Sequence, residues 1–179
     1  MRKQKGFSLI ELLIVVAIIL IIAAIAIPNL LRSKMSAADS AAASTIRTLN
    51  TTEVTYATNY PGAGYADTFT KLGPNAAPPV CDATGACLID GVLAATANGP
   101  SPKGGYKYYL VGAAAVAGVV GDYGISSEPI VLQSTGTNVY CSTADAVVRF
   151  QLASPVVAPG AAVPIATCQT VATYGPLKN

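Results

Sequence analysis

The chain has 179 residues, 52% of them hydrophobic and 11% charged, with eleven basic side chains, nine acidic side chains and no histidine. This length supports one globular head of about 120 residues beside one long helix, and the near-neutral charge argues against a nucleic-acid-binding protein, which would carry a basic stripe. Without histidine, the chain has no Ser-His or Cys-His nucleophile pair and no histidine ligand for a metal.

A short basic segment, residues 1–6, is followed by an apolar run from Phe7 to Ile27. As a helix this run is about 31 Å long, which is enough to cross a bilayer core of about 30 Å. The positive-inside rule predicts that this basic segment stays in the cytoplasm and that the bulk of the chain lies on the other side of the membrane. The basic residues concerned are Arg2, Lys3 and Lys5.

Glu11 is a carboxylate inside the apolar run, with no cation near it in its own helix. Such a group costs on the order of 3 kcal/mol or more in lipid and indicates a functional position. A cut between Gly6 and Phe7 would create a cationic α-amine at Phe7. That amine lies about one helical turn, ~6 Å, from its own Glu11. We therefore expect a neighbouring, axially shifted copy of the helix to pair with Glu11, because paired charges are tolerated at low dielectric.

The stretch from Lys5 to Val16 resembles the class III signal sequence of type IV pilins and their pseudopilin relatives. The resemblance implies an α+β, pilin-like fold in which a long N-terminal helix packs on a small antiparallel sheet. It implies a prepilin peptidase that cuts after Gly6 and N-methylates Phe7, and a Glu11 that registers each incoming subunit against a neighbour's amine. The helix-breaking proline of the family matches Pro28.

Beyond the apolar run, the pattern predicts that the helix continues to about Asn59. Pro28 removes one backbone hydrogen bond and predicts a bend or local melting, and residues 60–62 (Tyr-Pro-Gly) are a strong helix breaker. Apolar residues at steps of three or four mark one stripe along this part of the helix: Leu31, Met35, Ala38, Ala42, Ile46 and Leu49.

Residues 60–104 are rich in glycine, proline, alanine and asparagine and are expected to form a connecting loop region. The strands are expected at Tyr106–Val111, Glu128–Leu132, Asn138–Cys141 and Ala146–Phe150, with a four-residue hairpin loop between the last two. The expected organisation is a leader (1–6), an apolar membrane and assembly helix (7–28), an amphipathic helix half (29–59), the connecting region (60–104) and an antiparallel sheet head with a C-terminal disulfide loop (105–179).

All the cysteines, Cys81, Cys87, Cys141 and Cys168, lie in the exported part of the chain, where disulfides persist. Four cysteines allow three connectivities. We favour Cys81–Cys87 and Cys141–Cys168, because each pair encloses one loop. A metal site is disfavoured by the C-x5-C spacing, the lack of histidine and the oxidising compartment, so we expect no metal and no cofactor.

Sequence motifs for catalysis are missing. The chain has no phosphate-binding or dinucleotide-binding glycine motif and no acidic array for calcium, so we expect no enzyme and no catalytic residue. The triplet beginning at Asn50 fits an N-glycosylation sequon. Because it falls on the predicted helix, we interpret that match as chance.

These features predict a structural subunit of a type IV pilus-like filament. Its expected partners are copies of itself, the prepilin peptidase, the inner-membrane assembly machinery and, before assembly, the lipid bilayer; no nucleic acid is expected. We expect a single-pass inner-membrane protein with a periplasmic head, which then moves to the extracellular pilus. One alternative is a pseudopilin of a type II secretion system, and another is an uncleaved, signal-anchored monomeric binding module.

Overall fold

A computed structural model of the protein describes residues 7–75, 81–95, 100–153, 162–170 and 174–177. The expected leader, including Gly6, lies outside the described residues. The chain divides into two compact units, Met1–Lys34 and Met35–Asn179, which we describe separately.

One helix, α1, spans Leu9–Asn59 and ends at the residue that the sequence predicted. It ends there because Pro61 disfavours a helical conformation in the residue before it. The helix continues through Pro28, so the local melting expected at that residue was wrong, while the bend expected there stays a prediction. The first unit consists of the beginning of this helix, and the second unit contains the rest of α1 with everything that follows.

Within the described residues of the second unit, six strands form one antiparallel sheet in which each strand pairs with the next along the chain. The strands are β1 (Ser101–Lys103), β2 (Tyr106–Gly112), β3 (Tyr123–Pro129), β4 (Asn138–Thr143), β5 (Arg149–Leu152) and β6 (Gly175–Pro176). Two short helices accompany them, α2 (Phe69–Leu72) and α3 (Ile165–Gln169), together with a 3-10 turn at Leu93–Ala95.

The prediction of a strand at Glu128–Leu132 was wrong, because β3 lies earlier in the chain, at Tyr123–Pro129. The apolar residues after Pro129 form a turn instead, in which the Val131 nitrogen donates to the Thr135 hydroxyl at 3.0 Å and the Thr135 nitrogen donates to the Val131 carbonyl at 2.9 Å. Pattern reasoning missed most of β3 because Gly124, Ser126 and Ser127 are small or polar and do not have the β-branched or aromatic character that marks a strand.

The hairpin between β4 and β5 also differs from the prediction, since β5 begins at Arg149 and the loop covers residues 144–148. Asp145 holds this loop: it accepts a hydrogen bond from the Val147 nitrogen at 3.0 Å and pairs with Arg149 at 2.6 Å. The region 60–104, expected to be a loop, contains α2, the 3-10 turn and β1. Phe69 and Leu72 of α2 are buried and belong to the hydrophobic core.

The sheet is covered on both faces. On one face, α1 packs through the predicted apolar stripe against the aromatic residues of β2 and β3. The residues in this contact include Ala42, Ile46, Leu49, Tyr56, Tyr106, Tyr108, Leu110, Tyr123 and Ile125. On the other face, the C-terminal segment forms a smaller cluster with Val139, Cys141, Cys168 and Tyr174. The head is therefore a helix, a sheet and a C-terminal covering segment.

Candidate functional site: the assembly helix and its polar anchors

The first part of α1 presents an apolar surface. Every described residue from Phe7 to Lys34 is exposed except Ala23, which is half-buried. Its most apolar 18-residue window has a mean hydropathy of 3.3, and none of that window is buried. Among the described residues, α1 is the one helix long and apolar enough to cross a membrane, by length and composition. An apolar surface of this extent requires lipid or protein to cover it.

Glu11 lies at the start of this surface and takes part in a local structure that the sequence analysis did not recognise. The backbone nitrogen of Ser8 donates to the Glu11 carboxylate at 3.1 Å, and the Glu11 nitrogen donates to the Ser8 carbonyl at 3.1 Å. A glutamate that reaches back to the residue before the helix is one half of a capping box. The spacing Ser-x-x-Glu was the sequence signal for it.

The capping contact leaves the charge of Glu11 without a basic partner. In the described ranges, the ion pairs are Asp67–Lys71, Asp90–Lys103 and Asp145–Arg149. A negative charge in the first turn interacts favourably with the helix dipole, but the effect is only about 0.3–1 kcal/mol. Phe7, which precedes the helix, is 85% exposed. An amine created at Phe7 would therefore lie at the solvent-accessible or lipid-accessible start of α1.

In the head, α1 carries buried polar side chains, which we call the polar anchors: Asp39, Asn50 and Glu53. Asp39 accepts hydrogen bonds from the Thr137 nitrogen at 3.0 Å, from the Thr137 hydroxyl at 2.6 Å and from the Asn138 amide at 3.0 Å. It also accepts one from the Tyr106 hydroxyl. Burial and the neighbouring Asp39 carboxylate raise the pKa of Tyr106 above its usual range.

Asn50 is 4% exposed and joins α1 to two strands. Its amide nitrogen donates to the Ser142 hydroxyl at 2.8 Å, and its amide oxygen accepts from the Tyr123 hydroxyl at 3.2 Å. Glycosylation requires an accessible amide nitrogen, and this one is buried and already bonded. The structure therefore agrees with the interpretation of the sequon as chance.

Glu53 is fully buried and joins α1 to the chain that follows it. One carboxylate oxygen accepts a hydrogen bond from the Ala66 nitrogen at 2.9 Å. Burial raises the pKa of Glu53 to about 8; the hydrogen bond from Ala66 lowers it, and the charge of Asp67 raises it further. A carboxyl group with this pKa is mostly protonated at neutral pH.

Sequence reasoning did not select Asp39 or Glu53, and it considered Asn50 only as the start of a glycosylation sequon. A signal was present for Glu53, because the spacing of three and four residues through Ile46, Leu49, Glu53 and Tyr56 places it on the apolar stripe. An acidic residue on such a stripe requires a buried partner or a proton.

Both disulfides have the pairing favoured from the sequence. Cys81 and Cys87 are joined across a short turn with their Cα atoms 5.4 Å apart. Cys141 and Cys168 are joined with their Cα atoms 5.9 Å apart, which ties α3 to β4. All four thiols are thereby used, and the described part of the chain holds no cluster of three or more potential metal ligands.

Two comparisons bear on the family. Residues 1–27 match the family described as "Prokaryotic N-terminal methylation motif". Over 40 residues the chain is 62% identical to the "Type IV wide pilus major component PilA4" of Thermus thermophilus, and the aligned part is 22% of this chain. The chain spans only 30% of the length of that curated relative. No solved structure is significantly similar to the chain. The N-terminal part of the chain thus carries the methylation motif and is similar to a type IV pilin, and the long helix with an antiparallel sheet is a pilin-like α+β architecture.

Proposed function

We propose that this protein is a structural subunit of a type IV pilus-like filament, in which the apolar helix of residues 7–28 packs beside copies of itself. The observation that carries the proposal is the exposed apolar surface of α1 with the single acidic residue Glu11 at its start. The similarity to the Thermus thermophilus protein, which is named as a major component of a wide pilus, supports it.

Charge pairing favours the transfer of the subunit from the membrane into the filament. Lipid already covers the apolar surface of α1, so moving the helix into a filament gains little from hydrophobic burial alone. The unpaired charge of Glu11, by contrast, is costly in lipid and tolerable beside a cation. A filament in which each Glu11 meets the Phe7 amine of a neighbour would therefore favour one axial register.

Maturation supplies that amine. In the proposed sequence of events, a prepilin peptidase cuts after Gly6 and methylates the new amine of Phe7. The protein waits in the inner membrane with its head in the periplasm, until the assembly machinery adds it to a pilus on the cell surface. The amphipathic half, residues 29–59, then carries the head on the outside of the shaft. No catalytic step by the subunit itself is required.

The second candidate function is that of a pseudopilin, which forms a short fibre in type II secretion. The same helix and charge pair would serve both functions. The two disulfides favour a pilus, since they strengthen a head that must persist outside the cell. The similarity to a named pilus component favours it as well.

The decisive experiment recovers the protein from cells and determines its intact mass and first residue. Methylated Phe7 at the N-terminus, in fibres sheared from the cell surface and visible in electron micrographs, is the expected result. Processed protein that stays in the envelope without surface fibres would favour the pseudopilin. A monomer that begins at Met1 would refute both and favour the uncleaved signal-anchored module.

A further inference from the structure

Glu53 contacts the stretch of chain that follows α1, residues 60–67. We call this stretch the connecting segment. The Oε2 atom of Glu53 accepts the hydrogen bond from the Ala66 nitrogen, and its Oε1 atom is buried with no hydrogen-bond partner among the described residues. Ala66 itself is fully buried. An ionised carboxylate in this position would lose its water without full compensation, whereas a protonated one is tolerated.

The groups that face Glu53 do not relieve a negative charge. Asp67, in the connecting segment, is an acid whose charge opposes ionisation of Glu53, although it pairs with Lys71 at 2.8 Å. Tyr56 on α1 and Tyr123 on β3 also lie within electrostatic reach of Glu53. Burial raises the pKa of both tyrosines above 10, so they keep their protons throughout the range in which Glu53 titrates.

The connecting segment is also bonded to the turn between β2 and β3. The Tyr65 nitrogen donates to the Val120 carbonyl at 3.0 Å, and the Val120 nitrogen donates to the Ala63 carbonyl at 2.9 Å. Gly64 has a φ of +74°, and a Cβ atom there would lie 2.2 Å from the Val120 carbonyl oxygen. The segment is thus held on one side by Val120 and on the other by Glu53.

We propose that Glu53 is a proton-dependent latch for the connecting segment, in which the carboxyl group keeps a proton while the segment is closed and releases it when opening admits water. The latch follows from the burial of the side chain, its unpartnered oxygen and its acidic neighbour. It concerns the head alone and does not depend on filament assembly.

The direction of the pH dependence follows from the two states. In water the pKa of Glu53 has its ordinary value of 4.5, and in the closed head burial raises it to about 8. Between these values the open form binds fewer protons than the closed form, so a rise in pH favours opening. The opening equilibrium increases about tenfold per pH unit over this range and levels off above it. The closed form is therefore most favoured at acidic pH.

Hydrogen exchange tests this proposal on the full chain in detergent micelles. The exchange of the Tyr65 and Ala66 amides is followed from pH 5 to pH 9, and the rates are corrected for the intrinsic pH dependence of exchange. We expect the corrected opening equilibrium to rise about tenfold per unit up to about pH 8 and then to level off. Glu53→Gln, which has nearly the same shape and no titration, is expected to give a flat profile. A flat wild-type profile, or a rise that persists in Glu53→Gln, would overturn the latch.

Asp67→Asn provides a second test that keeps Glu53 in place. Removing the acidic neighbour makes ionisation of closed Glu53 easier, so the profile is expected to level off at a lower pH than in the wild type. If the pH at which the profile levels off were the same as in the wild type or higher, the result would contradict the electrostatic basis of the latch. Asp90→Asn serves as the matched control, because Asp90 pairs with Lys103 and does not act on the charge of Glu53.

Discussion

Tyr106 donates a hydrogen bond to the carboxylate of Asp39, although the two residues are 67 positions apart in the sequence. This contact joins the middle of α1 to the first residue of β2. Asp39 also accepts bonds from Thr137 and Asn138 at the start of β4. One side chain of the helix thereby bonds to the ends of two strands.

Replacing Asp39 with alanine is expected to destabilise the head by about 3 kcal/mol, because hydrogen bonds to a charged group contribute about 1.5–3 kcal/mol each and are not additive. Tyr106→Phe removes one donor and leaves the carboxylate its other bonds, so a loss of about 1–2 kcal/mol is expected. Urea unfolding of the full chain in micelles, followed by tyrosine fluorescence, measures both free energies of unfolding.

The matched control for Asp39 is Ser40→Ala, on the neighbouring exposed residue whose hydroxyl donates to the Ser36 carbonyl of its own helix. Its free energy of unfolding is expected to stay within about 0.5 kcal/mol of the wild type. If Asp39→Ala were no more destabilising than Ser40→Ala, Asp39 would not be an anchor.

Asn50 is expected to carry no glycan and to be required for stability. The tryptic peptide that contains it, residues 48–71, should have its unmodified mass in protein isolated from the native cells. Asn50→Ala leaves the buried Ser142 and Tyr123 hydroxyls without this partner and is expected to cost about 2 kcal/mol of unfolding free energy. A glycan found on Asn50 would require α1 to leave the sheet and would contradict the packing described above.

Glu11→Gln separates the two roles of Glu11. The amide can still accept the hydrogen bond from the Ser8 nitrogen, so α1 should begin at the same residue and insert into membranes to the same extent. The charge pair with a neighbour is lost, and we expect at least a tenfold drop in filament yield, which corresponds to about 1.4 kcal/mol per subunit. The measurements are membrane fractionation and quantification of sheared fibres.

Ser8→Ala is the control for Glu11, because the capping donor is the backbone nitrogen of Ser8 and not its hydroxyl. Filament yield in this variant should be close to that of the wild type. Wild-type yield in Glu11→Gln would instead leave the exposed apolar surface as the sole basis for assembly and would remove the register function of Glu11.

Removing the Cys141–Cys168 disulfide is expected to destabilise the head more than removing Cys81–Cys87. The first closes a loop with a sequence separation of 27 and the second a loop with a separation of 6. The chain-entropy relation gives about 3.5 kcal/mol and about 2 kcal/mol, respectively. Paired Cys→Ser variants, compared by thermal unfolding, test this order. Equal losses would mean that native contacts of α3, and not loop closure, hold the C-terminal segment.

Local chemistry explains what could be predicted from the sequence. The apolar run from Phe7 to Ile27, the end of α1 at Asn59 and the strand β2 each depend on residues within one stretch of chain. The favoured disulfide pairing agreed with the structure because each bridge closes a loop of its own. In contrast, β3 was misplaced, since its small and polar residues Gly124, Ser126 and Ser127 have low strand propensity and are placed in the sheet by pairing with β2 and β4.

By itself, the sequence determined that the chain carries an apolar helix with a lone Glu11, followed by a head whose four cysteines can form two disulfides. Only the tertiary structure decided that Asp39, Asn50 and Glu53 are anchors, and that burial raises the pKa of Glu53. The physical reason is distance along the chain: the hydrogen-bond partners of these anchors lie between 13 and 99 residues away. The burial that shifts a pKa exists only once those distant segments have packed together.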